Sequence, residues 1–155
     1  MLHVTCLSML KVALTGTSGL VGSRIIELLH DKFLFIPLPQ ADMDITNKNS
    51  VQKIVNNIDF DVFLHLAAYT NVDSAEYSKE SVMMINVNGT QNVFEAVKKK
   101  ERQFIYISTD FVFDGINPPY YEDSQPHPLS VYALSKYEGE KIVKDNAMIV
   151  RISYP

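Results

Sequence analysis

Hydrophobic positions along the chain alternate between short continuous runs and longer stretches with helical spacing. Residues 11–15 (KVALT), 33–38 (FLFIPL), 61–66 (DVFLHL), 103–108 (QFIYIS) and 147–152 (AMIVRI) are near-uniformly apolar, as strands covered on both faces should be. Between them, residues 20–30 place Val21, Ile25, Leu28 and Leu29 on one helical face. Residues 49–58 read as a short helix, and residues 81–99 as the longest one, with Val82, Ile85, Val93, Ala96 and Val97 on one side. The Lys98-Lys99-Lys100 end suits the negative pole of that helix. Residues 114–128, rich in Pro, Gly and Asp, predict a loop, and Pro128 is placed to open a last helix running to about Asp145. Strands alternating with helices predict an α/β domain, a parallel sheet with helices on both faces, with expected strand order 3-2-1-4-5.

Two spacings carry chemistry on this frame. After the first strand comes Thr15-Gly16-Thr17-Ser18-Gly19-Leu20-Val21-Gly22, a GxxGxxG loop opening a helix. Glycines let a tight strand-to-helix turn bring backbone N–H groups against a pyrophosphate, and the helix N-terminus adds its dipole. A glycine cluster alone is weak; the strand before it and the helix after it supply the confirming context. Tyr132-Ala-Leu-Ser-Lys136 places a phenol and an ammonium four residues apart on one helical face. An ammonium beside a phenol is expected to lower its pKa and make Tyr132 a better proton donor, with Lys136 also able to hold a ribose. Ser108-Thr109-Asp110 stands at the carboxyl end of the fourth strand, where a hydroxyl can hydrogen-bond a substrate carbonyl. No acid lies at the tip of the second strand to read an adenosine ribose, and no Arg or Lys to hold a 2′-phosphate; Asp42 and Asp44 follow slightly late. The choice between NADH and NADPH stays open.

Composition narrows the remaining classes. The 155 residues are 46% apolar and 21% charged, with a net charge of -4. That balance gives no electrostatic reason to expect nucleic acid or an anionic membrane as partner. One cysteine, Cys6, excludes an intrachain disulfide framework and fits a cytoplasmic protein, and the four histidines are scattered, so no metal site is expected. No apolar run is long enough to span a bilayer, and the opening MLHVTCLSML lacks a basic n-region, which argues against a signal peptide. Met9 stands where the first strand would begin, so residues 1–8 read as an N-terminal extension and residues 9–155 as one domain. His65 reads as a packed strand histidine, Tyr120-Tyr121 as loop packing, Met83-Met84 as helix packing, and residues 98–102 as a solvated helix end.

Together these motifs resemble the extended short-chain dehydrogenase/reductase superfamily. HLAAYTNVDSAE (65–76), INVNGTQNV (85–93) and STDFVFDG (108–115) resemble, within it, the dTDP-4-dehydrorhamnose reductase family. The resemblance runs from about Met9 to Tyr154. It implies a Rossmann-type doubly wound sheet, NADPH or NADH as cofactor, and reduction of a 4-keto nucleotide sugar in the cytoplasm. By that resemblance Thr109, Tyr132 and Lys136 match a catalytic triad, and Gly16, Thr17, Ser18, Gly19, Leu20 and Val21 a pyrophosphate loop. Asp44 and Ile45 match a segment that meets adenine; Ala67, Ala68 and Tyr69 one that lies along the cofactor, with Tyr132 and Lys136 touching it as well. Asn86 falls in the helix facing the active site. Hydride would go to the sugar C4 carbonyl, Tyr132 would donate the proton, and Thr109 would orient the carbonyl. Family members continue for well over a hundred further residues, so the substrate domain is absent from this sequence and the cofactor domain incomplete. A homodimer or a partner subunit fits the same picture. The superfamily also contains a non-catalytic regulatory subunit of methionine adenosyltransferase, as well as epimerases and dehydratases, and these are the alternative readings.

Overall fold

The computed structural model describes residues 9–153; the proposed N-terminal extension, residues 1–8, lies outside them. Five strands, β1 (Leu10–Thr15), β2 (Phe33–Leu38), β3 (Val62–His65), β4 (Gln103–Thr109) and β5 (Met148–Ile152), form one sheet in which every pairing is parallel. The helices between them are α1 (Leu20–Leu29), α2 (Lys48–Asn57), the short α3 (Val72–Ala75), α4 (Lys79–Met83), α5 (Thr90–Lys99) and α6 (Val131–Val143). This is the doubly wound α/β architecture that the alternation predicts.

The strand order is β2-β1-β3-β4-β5, not the expected 3-2-1-4-5. The connection through α2 carries the chain past β1 to its other edge, so β2 is the border strand and β3 an inner one. Pro37 lies within β2, opposite Leu14. A proline has no N–H to donate to a ladder, so it belongs on an edge, with that position turned away from the neighbouring strand. In β3 all four residues are buried, as fits a strand flanked by β1 and β4.

Side-chain alternation along the strands sends two apolar sets to opposite faces. One face carries the main core, with Phe63 and Phe104 stacked at 5.9 Å, under Val51 and Val55 of α2, Val93 and Val97 of α5, and Val143 of α6. The other gathers Val12, Leu14 and Leu64 against Ile25 and Ile26 of α1.

Local chemistry explains the boundaries. The Asn47 side chain accepts from Ser50 N to start α2, and Ser130 accepts from Ala133 N to start α6. The last helix therefore begins beyond Pro128, at the first position whose hydroxyl can satisfy a first-turn N–H. The long helix expected over residues 81–99 is α4 and α5 joined by a π-helical turn, Met84–Gly89. Lys100 does more than end a solvated helix: its Nζ donates to the carbonyls of Val55 and Asn56, capping the C-terminal end of α2.

Candidate active site

The glycine loop has the backbone its sequence requires. Gly16 has φ +68°, and a Cβ there would stand 2.7 Å from the Leu66 carbonyl carbon. Gly19 N donates to Gly16 O at 3.1 Å, closing the turn. Gly19 then serves as N-cap of α1 without a side chain to offer, and no acid occupies the first turn. In contrast to α2 and α6, the first-turn N–H groups of α1 have no side-chain partner, and an anion would complete them. Gly22 is buried, and a Cβ on it would run into the Gly16 carbonyl oxygen. Gly22→Ala should therefore push the loop out of register and weaken dinucleotide binding about tenfold or more. Parallel titrations of the two proteins would measure this, and equal affinities would remove the loop from the site.

The loop opens onto a cleft at the carboxyl edge of the sheet, where ligands bind in such folds. One lobe, about 390 Å³, runs from Gly16, Gly19, Leu20 and Val21 past Ala68 and Thr70 to Ser108, Thr109, Tyr132 and Lys136. The other, about 280 Å³, lies between the loop and the end of β2, lined by Thr17, Ser18, Gln40, Asp44, Ile45, Ala67 and Ala68 among others. Residues from seven elements and three loops thus meet along one trough. Among the described residues, no group of three or more His, Cys, Asp or Glu comes together as a metal site.

Tyr132 and Lys136 both face the first lobe from α6, opposite Thr109 at the end of β4. Lys136 is buried; its Nζ donates to Ile107 O at 2.7 Å and sits 4.1 Å from the centre of the Tyr106 ring. Burial pushes its pKa down to about 7, opposed by the Glu140 carboxylate. Burial likewise pushes the Tyr132 phenol up, while the Thr109 hydroxyl pulls it down. The lowering by Lys136 expected from spacing is therefore not present in this state. The ammonium is turned toward the Ile107 carbonyl, and desolvation outweighs what the phenol gains. Ser108 Oγ is buried without a hydrogen-bond partner and borders the same lobe. Such an orphan is costly unless a ligand satisfies it.

Behind the cleft, buried hydrogen bonds connect the glycine loop to α6. Thr15 Oγ1 accepts from the N–H groups of Leu66 and Ala67, both at 3.2 Å, and lies 2.9 Å from His65 Nδ1. With its lone pairs taken, the hydroxyl gives its proton to Nδ1, so the imidazole carries its own proton on Nε2 and donates to Thr90 Oγ1 at 3.2 Å. Thr90 in turn donates to Asn86 O at 2.7 Å. Only a neutral ring fits, and burial, helped by the Lys136 charge, lowers the His65 pKa to about 3. The Asn86 side chain accepts from Tyr69 N, donates to Tyr69 O, and donates to Ser135 Oγ, which donates to Tyr132 O.

The structure brings all but one of the sequence-derived site residues to the trough. Tyr69 borders neither lobe; its hydroxyl lies 2.8 Å from Ser74 Oγ, and its backbone is held by Asn86. Asn86 itself is buried behind the cleft rather than facing it. Gln40, Thr70 and Ile85 line the trough and were not singled out from sequence. Thr70 directly follows the AAY segment, and Gln40 stands just past β2, so position in the fold was the available signal. A separate hollow of about 430 Å³ lies beside Asp110, Phe111 and Phe113. There Tyr120 stacks on Phe113 at 4.4 Å and its hydroxyl donates to Asp114. That bond, with the Ile116 N–H and His127, holds the Asp114 pKa down to about 2.

Comparison with known proteins gives one family over this region. The RmlD substrate binding domain matches residues 10–154. A dTDP-4-dehydrorhamnose reductase of Aggregatibacter actinomycetemcomitans is 35% identical over 152 residues, 94% of this chain and 52% of that protein. Methionine adenosyltransferase 2 subunit beta of Bos taurus is 31% identical over 153 residues, 92% of this chain and 46% of its own length. The crystal structure of a dTDP-4-dehydrorhamnose reductase from Bacillus anthracis in complex with NADP superposes with a TM-score of 0.89 at 37% identity, covering 94% of this chain and 54% of that one. The chain spans about half the length of the curated relatives it matches.

Proposed function

This chain belongs to the family of the RmlD substrate binding domain, and on that basis we propose that it is the dinucleotide-binding part of an NAD(P)H-dependent reductase of a 4-keto-6-deoxy nucleotide sugar. The reaction is dTDP-4-dehydrorhamnose to dTDP-L-rhamnose, in the cytoplasm, with residues 9–155 as the cofactor domain. The observation that carries this reading is the convergence of Thr109, Tyr132 and Lys136 on a cleft whose far wall is an uncapped helix end over a positive-φ glycine.

The residues present fit a dinucleotide. The first-turn N–H groups of α1 suit a pyrophosphate, the space at Gly16 admits no side chain, and the unpartnered Ser108 hydroxyl borders the lobe meant for the reacting end. When bound, the reduced nicotinamide supplies the hydride. Lys136 holds the adjoining ribose. Thr109 and Ser108 hydrogen-bond the C4 carbonyl oxygen and orient it. Tyr132 Oη delivers the proton to that oxygen as negative charge builds on it. Ser135, through Asn86, fixes the helical turn that carries Tyr132.

The similarity to methionine adenosyltransferase 2 subunit beta supports a second reading, a regulatory subunit that binds the dinucleotide in the same cleft without turnover. Both readings require that cleft to bind. Titrating the 155-residue chain with reduced dinucleotide, followed by nicotinamide fluorescence and by thermal unfolding, is expected to saturate. At about 100 times Kd the ligand should stabilise the fold by about 2.7 kcal/mol. A folded chain that neither saturates nor gains stability would sink both.

A further inference from the structure

Lys136 and Glu140 stand one turn apart on α6, and each is 3% exposed. Among the described residues they are the buried ammonium and the buried carboxylate. We propose that Glu140 is the counter-charge that keeps Lys136 an ammonium for the dinucleotide, and that Arg151 of β5 keeps Glu140 a carboxylate. Both are positioning residues, and the inference rests on the dinucleotide-binding reading above.

The helix is pressed against the sheet at this turn: a Cβ on Gly139 would run into the Tyr106 hydroxyl. Lys136 Nζ meets the Ile107 carbonyl and the face of the Tyr106 ring, neither of them an anion. A buried ammonium without a negative charge nearby gives up its proton. Glu140 supplies that charge without binding Nζ, because both of its oxygens are held by Arg151. Oε1 accepts from Nε at 2.9 Å and Oε2 from Nη2 at 2.8 Å. Such a two-pronged guanidinium bond keeps a buried carboxylate ionised. The two charges of the pair do not cancel at Lys136. The Arg151 side chain is 22% exposed and screened by solvent, whereas that of Glu140 is 4% exposed. Arg151 reaches Glu140 because it lies in register with Ser108, two residues past Tyr106, on the face of the sheet that α6 covers. Its guanidinium also lies 4.9 Å from the centre of the Phe113 ring, which holds it from the loop side.

The other groups packed around Lys136 do not supply the charge. His65 of β3 is neutral, with its pKa at about 3, and burial raises the phenols of Tyr106 and Tyr132. The helices α3, α4 and α5 and the π-helical turn bury no charged side chain. Asp110, in the turn after β4, is half-buried and accepts from Thr109 Oγ1 at 3.3 Å; its charge acts on Tyr132. Glu140 is the charge that opposes the desolvation of Lys136.

The test compares the native 155-residue chain with Glu140→Gln and with the double variant Glu140→Gln/Arg151→Gln, each confirmed folded by circular dichroism. The double variant leaves no buried charge unpaired, and it removes any repulsion of Lys136 by a freed Arg151. Lysines isotope-labelled at Cε and followed by NMR report the Lys136 titration, its signal identified by its loss in Lys136→Met. The midpoint, about 7 in the native chain, is expected to move down by about one pH unit or more in both variants. NADPH affinity, compared between proteins at one pH so that its own phosphate titration cancels, should fall about tenfold at pH 8 and only about twofold at pH 6. A midpoint that stays at its native value, or that the double variant restores, would leave Glu140 and Arg151 a structural ion pair and overturn the inference. A moved midpoint with the same affinity loss at both pH values would overturn the part that the charge plays in binding. A moved midpoint in a native chain that never saturates with NADPH would remove the dinucleotide-binding reading and leave the counter-charge standing.

Discussion

Tyr132→Phe is expected to lower turnover of a 4-keto nucleotide sugar by about a thousandfold, while dinucleotide affinity stays within about twofold. The substitution removes one oxygen and little else. The ring keeps its edge-on contact with Phe111, 6.2 Å between centres, and the backbone carbonyl still accepts from Ser135. Lys136 and the glycine loop are untouched, so the groups proposed to hold the cofactor remain. The loss should therefore fall on kcat rather than on binding. Following dinucleotide oxidation by absorbance and binding by fluorescence separates the two, in a protein that carries this segment and turns the sugar over. Unchanged turnover would take Tyr132 out of the mechanism. Tight binding with no turnover even by the unsubstituted chain would favour the regulatory reading.

The two motifs were legible in the sequence because each is local. A strand, a glycine turn and a helix start adjoin one another, and Tyr132 and Lys136 share one helical face. Strand order was less legible, since it depends on which edge of β1 a crossover returns to. Pro37 held the answer: a proline in FLFIPL marks β2 as a border strand and rules out a place for it between two others. The π-helical turn at Met84–Gly89 left no mark on the apolar spacing, because one extra residue per turn is lost in a helix read over three or four turns. It is nonetheless what sets Asn86 between Tyr69 and Ser135. The titration behaviour of the site was out of reach for a different reason. Sequence spacing places Lys136 one turn from Tyr132 but says nothing of burial, and burial moves both groups more than they move each other.

That burial leads to the second large effect, in which stability and function part. Lys136 has a folded pKa near 7 against 10.5 when solvated, so between those values the unfolded chain holds a proton that the folded chain does not. Folding stability consequently rises with pH across that window, and the penalty is fully present below pH 7. Lys136→Met removes the penalty together with the bond to Ile107 O, and the fold should gain about 1–3 kcal/mol at pH 7. Urea midpoints taken from pH 7 to 9 should show the gap between the two proteins narrowing as the native chain catches up. His65 acts in the same direction in a lower window: folded pKa about 3, ordinary value 6.5, so both proteins should lose stability as pH falls below about 6.5. Dinucleotide affinity should fall in Lys136→Met even as stability climbs. A lysine retained for packing would give the opposite pair of results, a less stable fold with binding unharmed. A gap that does not change with pH would mean that Lys136 keeps its charge when buried. Higher stability together with weaker binding in Lys136→Met is the pair of results expected of a buried cation kept for a ligand and not for the fold.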